Sequence, residues 1–229
     1  MSTPLILIAA SGLAREVLAC LEGQYYYEVA GIVDDSPALH GTSVGRVPVL
    51  GPLSSVLDHP TADLLVCAGK GTVRSAIVDR LAQLGIGEDR FATVVDPSVR
   101  VRSSCSIGAG SIVLAGTVLT ADVTVGRHVV IMPNVTLTHD DRIDDFATLC
   151  AGVTLGGTVH IRVGAYLGMN SCVRENATVG SGATLGMGAA LTRDLPDHET
   201  WIGLPARRMQ PLRHSAEYPL TYNAEGLPA

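Results

Sequence analysis

The chain has 229 residues, 47% of them hydrophobic and 17% charged, with a formal charge of −6. That apolar content excludes disorder for the bulk of the chain, and the length suits two small domains. The absence of any basic block argues against a nucleic-acid partner. No apolar run nears the roughly 18 residues of a membrane span, and no basic leader precedes the first apolar segment, so no membrane association is expected.

Residues 5–10 read as a buried strand, followed by a Ser11-Gly12 turn and a helix over 14–22. A second strand spans 29–33 and ends at Asp34-Asp35. A short strand over 47–50 precedes a helical turn near 52–57. Another strand at 62–68 and a helix over 72–84 complete a strand–helix alternation that predicts a parallel α/β, Rossmann-like domain over residues 1–90. Residues 90–97 join it to the second half of the chain. The five cysteines, Cys20, Cys67, Cys105, Cys150 and Cys172, form no Cys-x-x-Cys pair. They read as free thiols of a reducing compartment, and the chain is expected to be cytoplasmic.

The second half carries an internal repeat. Stepping by six from Val95 meets Val101, Ile107, Val113, Leu119, Val125, Ile131, Leu137, Ile143, Leu149, Leu155, Ile161, Leu167, Val173, Val179, Leu185 and Leu191, with no break in phase. Four places after each aliphatic the residue is usually small, as at Ser111, Thr117, Ala147 and Ala165. A period of six fits neither an α-helix nor a long flat strand. It fits a three-sided parallel β-helix over 95–194, with the aliphatic inward and the small residue near a corner. The scarcity of aromatics, 4%, agrees with so narrow a core. Residues 195–229 would cap the prism and end in a polar tail.

His139 occupies the third place of its hexapeptide, at a corner and facing outward. A neutral imidazole there can accept a proton, and the adjacent Asp140 can fix its tautomer. Asp141 breaks the pattern, because it puts a carboxylate at the fifth, inward place, which is costly unless hydrogen-bonded. Gly152, Gly156 and Gly157 are either corner residues with positive φ or sites where a bare amide polarises a carbonyl. Ser11 and Gly12 lie at a strand-to-helix turn suited to a phosphate. Asp34 and Asp35 either bind a ribose hydroxyl or cap a turn. His128 and His160 are expected to face outward.

These motifs resemble the left-handed β-helix sugar acetyltransferases, a group that includes the sialic-acid O-acetyltransferases and the bacterial 4-amino-sugar N-acetyltransferases. The resemblance covers residues 1–209. It rests on the hexapeptide repeat, the Ala10-Ser11-Gly12 turn, Val33-Asp34-Asp35, Ala68-Gly69 with Arg74, His139-Asp140, residues 167–171, and Gly203-Leu204-Pro205-Ala206-Arg207. It implies a homotrimer with active sites between neighbouring prisms. His139 would be the general base, Asp140 its partner, and Gly157 the amide facing the acetyl carbonyl. Acetyl-CoA would lie along Gly157, Gly168, Gly203, Pro205 and Arg207, with no metal, and a nucleotide-linked sugar near Ser11, Gly12, Asp34 and Asp35. The chain departs from the family at Leu13, Gly69-Lys70-Gly71, Asp141 and Thr148, mostly around the acceptor. The residues leave two rival readings open. One is a nucleotide-binding scaffold without catalysis; the other is a zinc hydratase of the γ-carbonic-anhydrase type built on His128, His139 and His160.

Overall fold

The computed structural model describes residues 2–209; residues 210–229 of the expected tail lie outside the described residues. Strand β1 (Thr3–Ile8) opens the chain and runs into helix α1 (Gly12–Leu21). Strand β2 (Tyr27–Val33) follows. A hairpin of β3 (Ser43–Val44) and β4 (Val47–Gly51), β5 (Asp63–Val66) and helix α2 (Gly71–Gln83) complete the N-terminal unit. The sheet order is β3-β4-β2-β1-β5, parallel except for the β3–β4 hairpin. Among the strands and α-helices of this unit β3 goes unpredicted, because two residues carry no periodicity. The segment near 52–57 is a 3-10 helix, Leu53–Asp58.

Alternation along β1 places the two helices. Leu5 and Leu7 point to one face, where Leu13, Ala14, Val17 and Leu21 of α1 cover them together with Ile112 and Val130 of the second half. Ile6 and Ile8 point to the other face, against Val56, Val78 and Leu81. The first face of this sheet is thus buried between its own helix and the repeat region. Residues 90–97 are no free tether: Leu64 bridges Phe91, and Val94–Val95 already pairs with Ile112–Val113.

The repeat folds as a three-sided parallel β-helix of two-residue strands. One side, here the domain side, stacks Ile112–Val113, Val130–Ile131, Thr148–Leu149, Tyr166–Leu167 and Thr184–Leu185 beneath the N-terminal unit. A polar side carries Ser106–Ile107, Thr124–Val125, Arg142–Ile143, His160–Ile161 and Thr178–Val179. An open side carries Val118–Leu119, Thr136–Leu137, Thr154–Leu155, Cys172–Val173 and Ala190–Leu191. The first-place aliphatics from Val113 to Leu191 form one buried column.

Val101 is the exception to the rhythm. It is exposed and outside any strand, and Val99 enters the core in its place. Pro97 and the Ser98 bonds to the Asp96 carboxylate make a turn there instead of a side, and Pro offers no N–H to a ladder. The corners are regular. The fourth place takes a left-handed backbone at Asp122, Asn134, Asp140, Phe146, Thr158 and Asn170 as well as at Gly116, Gly152 and Gly164. A non-glycine residue there costs about 1 kcal/mol, so packing of the coil imposes the turn.

Arg74 ties the two halves together. Its side chain is fully buried. It donates through Nε to His128 O, through Nη1 to Ala68 O and Gly69 O, and through Nη2 to Phe146 O, Ala147 O and Thr148 Oγ1, all within 3.0 Å. Burial pulls its guanidinium down to about 10. Gly71 lets the start of α2 approach this corner, since a Cβ there would overlap Phe146 O.

One expectation is corrected by this contact. His128 does not face outward: it is 1% exposed, stacked on Phe146 at 5.1 Å and edge-on to Phe91 at 4.6 Å, because the N-terminal unit lands on its corner. Burial lowers its pKa, which favours the neutral ring. His160 keeps the outward place expected of it on the polar side, partly covered, with Nε2 against Asp144 Oδ2 at 2.8 Å.

Candidate active site

His139 stands on the edge between the open and polar sides, 65% exposed, as its third-place position predicts. Its Nδ1 lies 2.8 Å from Asp140 Oδ2. The tautomer that this bond selects keeps the proton on Nδ1 and the lone pair on Nε2. At such exposure the pair adds little to stability; what it provides is orientation.

Gly157 occupies the same corner one coil below. A Cβ built on it would overlap the imidazole, with Nε2 and Cε1 nearest and Cδ2 at 3.0 Å. The ring therefore rests on the Gly157 backbone, and only glycine leaves it room. Positive φ is not the reason here, nor at Gly156, where a Cβ would strike Glu175 N at 2.5 Å; Gly152 alone of the three has the left-handed turn, at φ 73°. Among the described residues no acceptor takes the Gly157 N–H. A ring nitrogen with a lone pair and an amide N–H without an acceptor thus stand side by side at one corner, the two groups that a base and an oxyanion donor require.

Asp141 is 1% exposed and points inward. Its Oδ2 accepts from Thr138 N at 2.7 Å and its Oδ1 from Val159 N at 2.9 Å. Burial pushes its carboxyl up to about 6, and these two bonds hold it from rising further.

Ser11 and Gly12 sit elsewhere. Ser11 Oγ accepts from Ala14 N as the α1 N-cap and bonds Cys67 O. Both residues line a cleft of about 580 Å³ between the N-terminal unit and the domain side, with Lys70, Thr148, Cys150 and Tyr166. Tyr166 was not singled out by the sequence; its sixth-place position on the repeat, where an outward residue meets the other domain, was the available signal. The neighbouring Cys150 thiol pushes the Tyr166 phenol up to about 12. Thr148 is bound to Arg74 and Gly69 O.

Asp34 and Asp35 line a separate, smaller cleft. Their carboxylates are engaged internally, Asp34 with Ala10 N and Ser36 N, Asp35 with Leu53 N and Arg80. Of the two readings, the turn cap describes this geometry. Gly168 and Gly203 follow the edge between the domain and open sides, where a Cβ on Gly168 would meet Met187 N at 2.5 Å. Pro205 and the exposed Arg207 lie in the closing hairpin with Thr200–Ile202. Among the described residues no group of three or more His, Cys, Asp or Glu side chains could hold a metal, and no helix is long and apolar enough to cross a membrane. In a three-sided prism the His139 edge lies opposite the domain side. One chain therefore keeps the Ser11–Tyr166 cleft and the His139–Gly157 corner on opposite faces.

Comparison with known proteins shows the same division. Residues 4–81 match the PglD N-terminal domain, and residues 104–139 match the bacterial transferase hexapeptide (six repeats). The acetyltransferase domain of PglB from Neisseria gonorrhoeae is 30% identical, over 91% of this chain and 100% of that one, with a TM-score of 0.81. It has also been seen with acetyl coenzyme A. A histidine-to-alanine variant of GDP-perosamine N-acetyltransferase from Caulobacter crescentus, in complex with CoA and GDP-perosamine, is 26% identical over 91% of this chain and 97% of that one, at a TM-score of 0.82. WeeI from Acinetobacter baumannii is 25% identical over 91% and 100% of the two chains, at 0.78. With an α/β unit in front of a left-handed hexapeptide prism along its described length, this chain belongs to the left-handed β-helix sugar acetyltransferases.

Proposed function

We propose that the chain transfers an acetyl group from acetyl-CoA directly to an amine or hydroxyl of a nucleotide-linked sugar, with His139 as general base. The observation that carries this reading is the imidazole resting on Gly157 with Nδ1 held by Asp140. Nε2 takes the proton of the attacking group as it adds to the thioester carbonyl. The Gly157 N–H stabilises the oxyanion that forms. Collapse breaks the C–S bond, and the imidazolium returns its proton to the departing CoA thiolate. A positioned base contributes about 10²–10⁴-fold, and one oxyanion donor about 10²–10³-fold.

The acceptor's nucleotide is assigned to the cleft of Ser11 and Gly12, and acetyl-CoA to the strip that runs by Gly168 and Gly203 toward Pro205 and Arg207. Because cleft and base lie on opposite faces of one chain, this reading needs a second copy, which supports a homotrimer whose neighbouring prisms complete each site. His139→Ala should lower kcat by about 10²–10⁴-fold and leave acetyl-CoA affinity intact, measured by thiol release and by calorimetric titration. Near wild-type turnover in that variant would remove His139 from the mechanism.

A further inference from the structure

We propose that Asp141 is a positioning residue whose inward carboxylate sets the turn of His139 against the turn of Gly157. This rests on the catalytic reading above and deepens it. Along the prism, each second-place N–H donates to the first-place carbonyl one coil below: Thr120 to Leu137, Met132 to Leu149, Asp144 to Ile161, Cys150 to Leu167 and Gly156 to Val173. At Thr138 this bond is replaced. Its N–H turns to Asp141 Oδ2, and the parallel pairing between these two coils shrinks to Thr136 and Thr154 where the neighbouring steps keep two pairs. Thr138 Oγ1 is left buried without a partner.

The coil below is altered too. The fifth-place amides of Val153, Ala165 and Ala177 close their own turns onto Cys150 O, Arg162 O and Arg174 O, whereas that of Val159 reaches up to Asp141 Oδ1. One carboxylate thereby takes the place of two backbone acceptors. It grips the amide just before His139 and the amide two residues after Gly157. A small residue would close the ladder at lower cost, since an inward charge carries a desolvation penalty. Ser111 shows the neutral alternative inside the same fold: its Oγ accepts from Val129 N one coil below, at a corner with no such pair. The ladder opens at the coil that carries the base, and the acid that opens it is bonded on both sides of the gap.

Asp141→Ala and Asp141→Ser, each in the wild-type and the His139→Ala background, test this. The expected result is a fall in kcat of about tenfold or more, with KM for acetyl-CoA little changed and melting temperature at pH 7.5 not reduced. In the His139→Ala background no further loss should appear, because the residue acts through the imidazole. Equal losses in both backgrounds, a loss that tracks a lowered melting temperature, or unchanged kcat would each overturn the inference. A crystal structure of the variant is independent of the catalytic reading: Thr138 N should return to Leu155 O and the ring should leave Gly157, and an unmoved ring would refute the proposal. Should Asp141→Ala fail to fold, Asp141→Ser keeps one of the two bonds and reads the same quantities. Full activity in His139→Ala alone would sink the proposed mechanism, while the ring position would still decide the role of Asp141.

Discussion

A single methyl group added at Gly157 separates orientation from chemistry. The Cβ of Gly157→Ala would fall on the His139 ring, with Cδ2 at 3.0 Å the most distant of the three nearest atoms. Ordinary carbon contacts lie at about 3.5–4.0 Å, so the ring must move by about 1 Å or more. The Gly157 backbone is not in the left-handed region, so alanine meets no conformational penalty there. His139 is 65% exposed and can swing into solvent, so stability should change by less than about 1 kcal/mol. Misplacing a reacting group by about 1 Å costs about 10²-fold. Gly157→Ala should therefore lose about two decades of kcat with an unchanged melting temperature, and combining it with His139→Ala should add little. The assay is initial-rate thiol release from acetyl-CoA with an amino-sugar nucleotide panel, beside calorimetric unfolding. Wild-type kcat in Gly157→Ala would show that the ring's seat on this backbone plays no part in turnover.

Asp141 also predicts a pH dependence of stability. Its folded pKa is raised from 3.8 to about 6 by burial, with His139 and Asp140 the charged groups facing it, so the penalty for its ionised form is absent below pH 3.8 and complete above pH 6. Asp141→Ser should gain stability relative to wild type as pH rises from 4 to 7, by about 2 kcal/mol; a difference that does not grow would contradict the burial argument. Arg74→Ala removes a guanidinium that satisfies five carbonyls and one hydroxyl. It should cost about 3–5 kcal/mol by denaturant titration, and a loss under about 1 kcal/mol would show that water replaces the network. Mixed oligomers of His139→Ala with a Tyr166→Ala cleft variant should recover activity that neither has alone if neighbouring copies share a site. No recovery in confirmed mixed oligomers would refute a site shared by that base and that cleft.

The prism was legible because its inward place makes the same demand at every step: six residues on, another aliphatic, whatever lies between. His139 and Asp140 were legible because they are adjacent, and Asp141 because it breaks a rule that the neighbouring repeats keep. Gly157 entered only through the family resemblance, since spacing did not choose among Gly152, Gly156 and Gly157; it lies the same 18 residues below His139 as Val159 lies below Asp141. The others are local or periodic facts, and a linear pattern records them.

Tertiary contact decided the rest. Arg74 falls on the α2 stripe of Val78 and Leu81, an apolar position that a sequence reading treats as an error, and its partners on the prism lie 54 to 74 residues away. His128 has the same repeat position as Asn134 and Asp140, yet it is buried because a second domain covers that corner. The opposition of the Ser11 cleft and the His139 edge is likewise invisible in one dimension, because it depends on which of three equivalent sides the N-terminal unit packs against. Periodicity specifies the prism and its corners through burial repeated at fixed spacing. Which corner is covered, and which is left open for chemistry, is set by long-range packing that no repeat encodes.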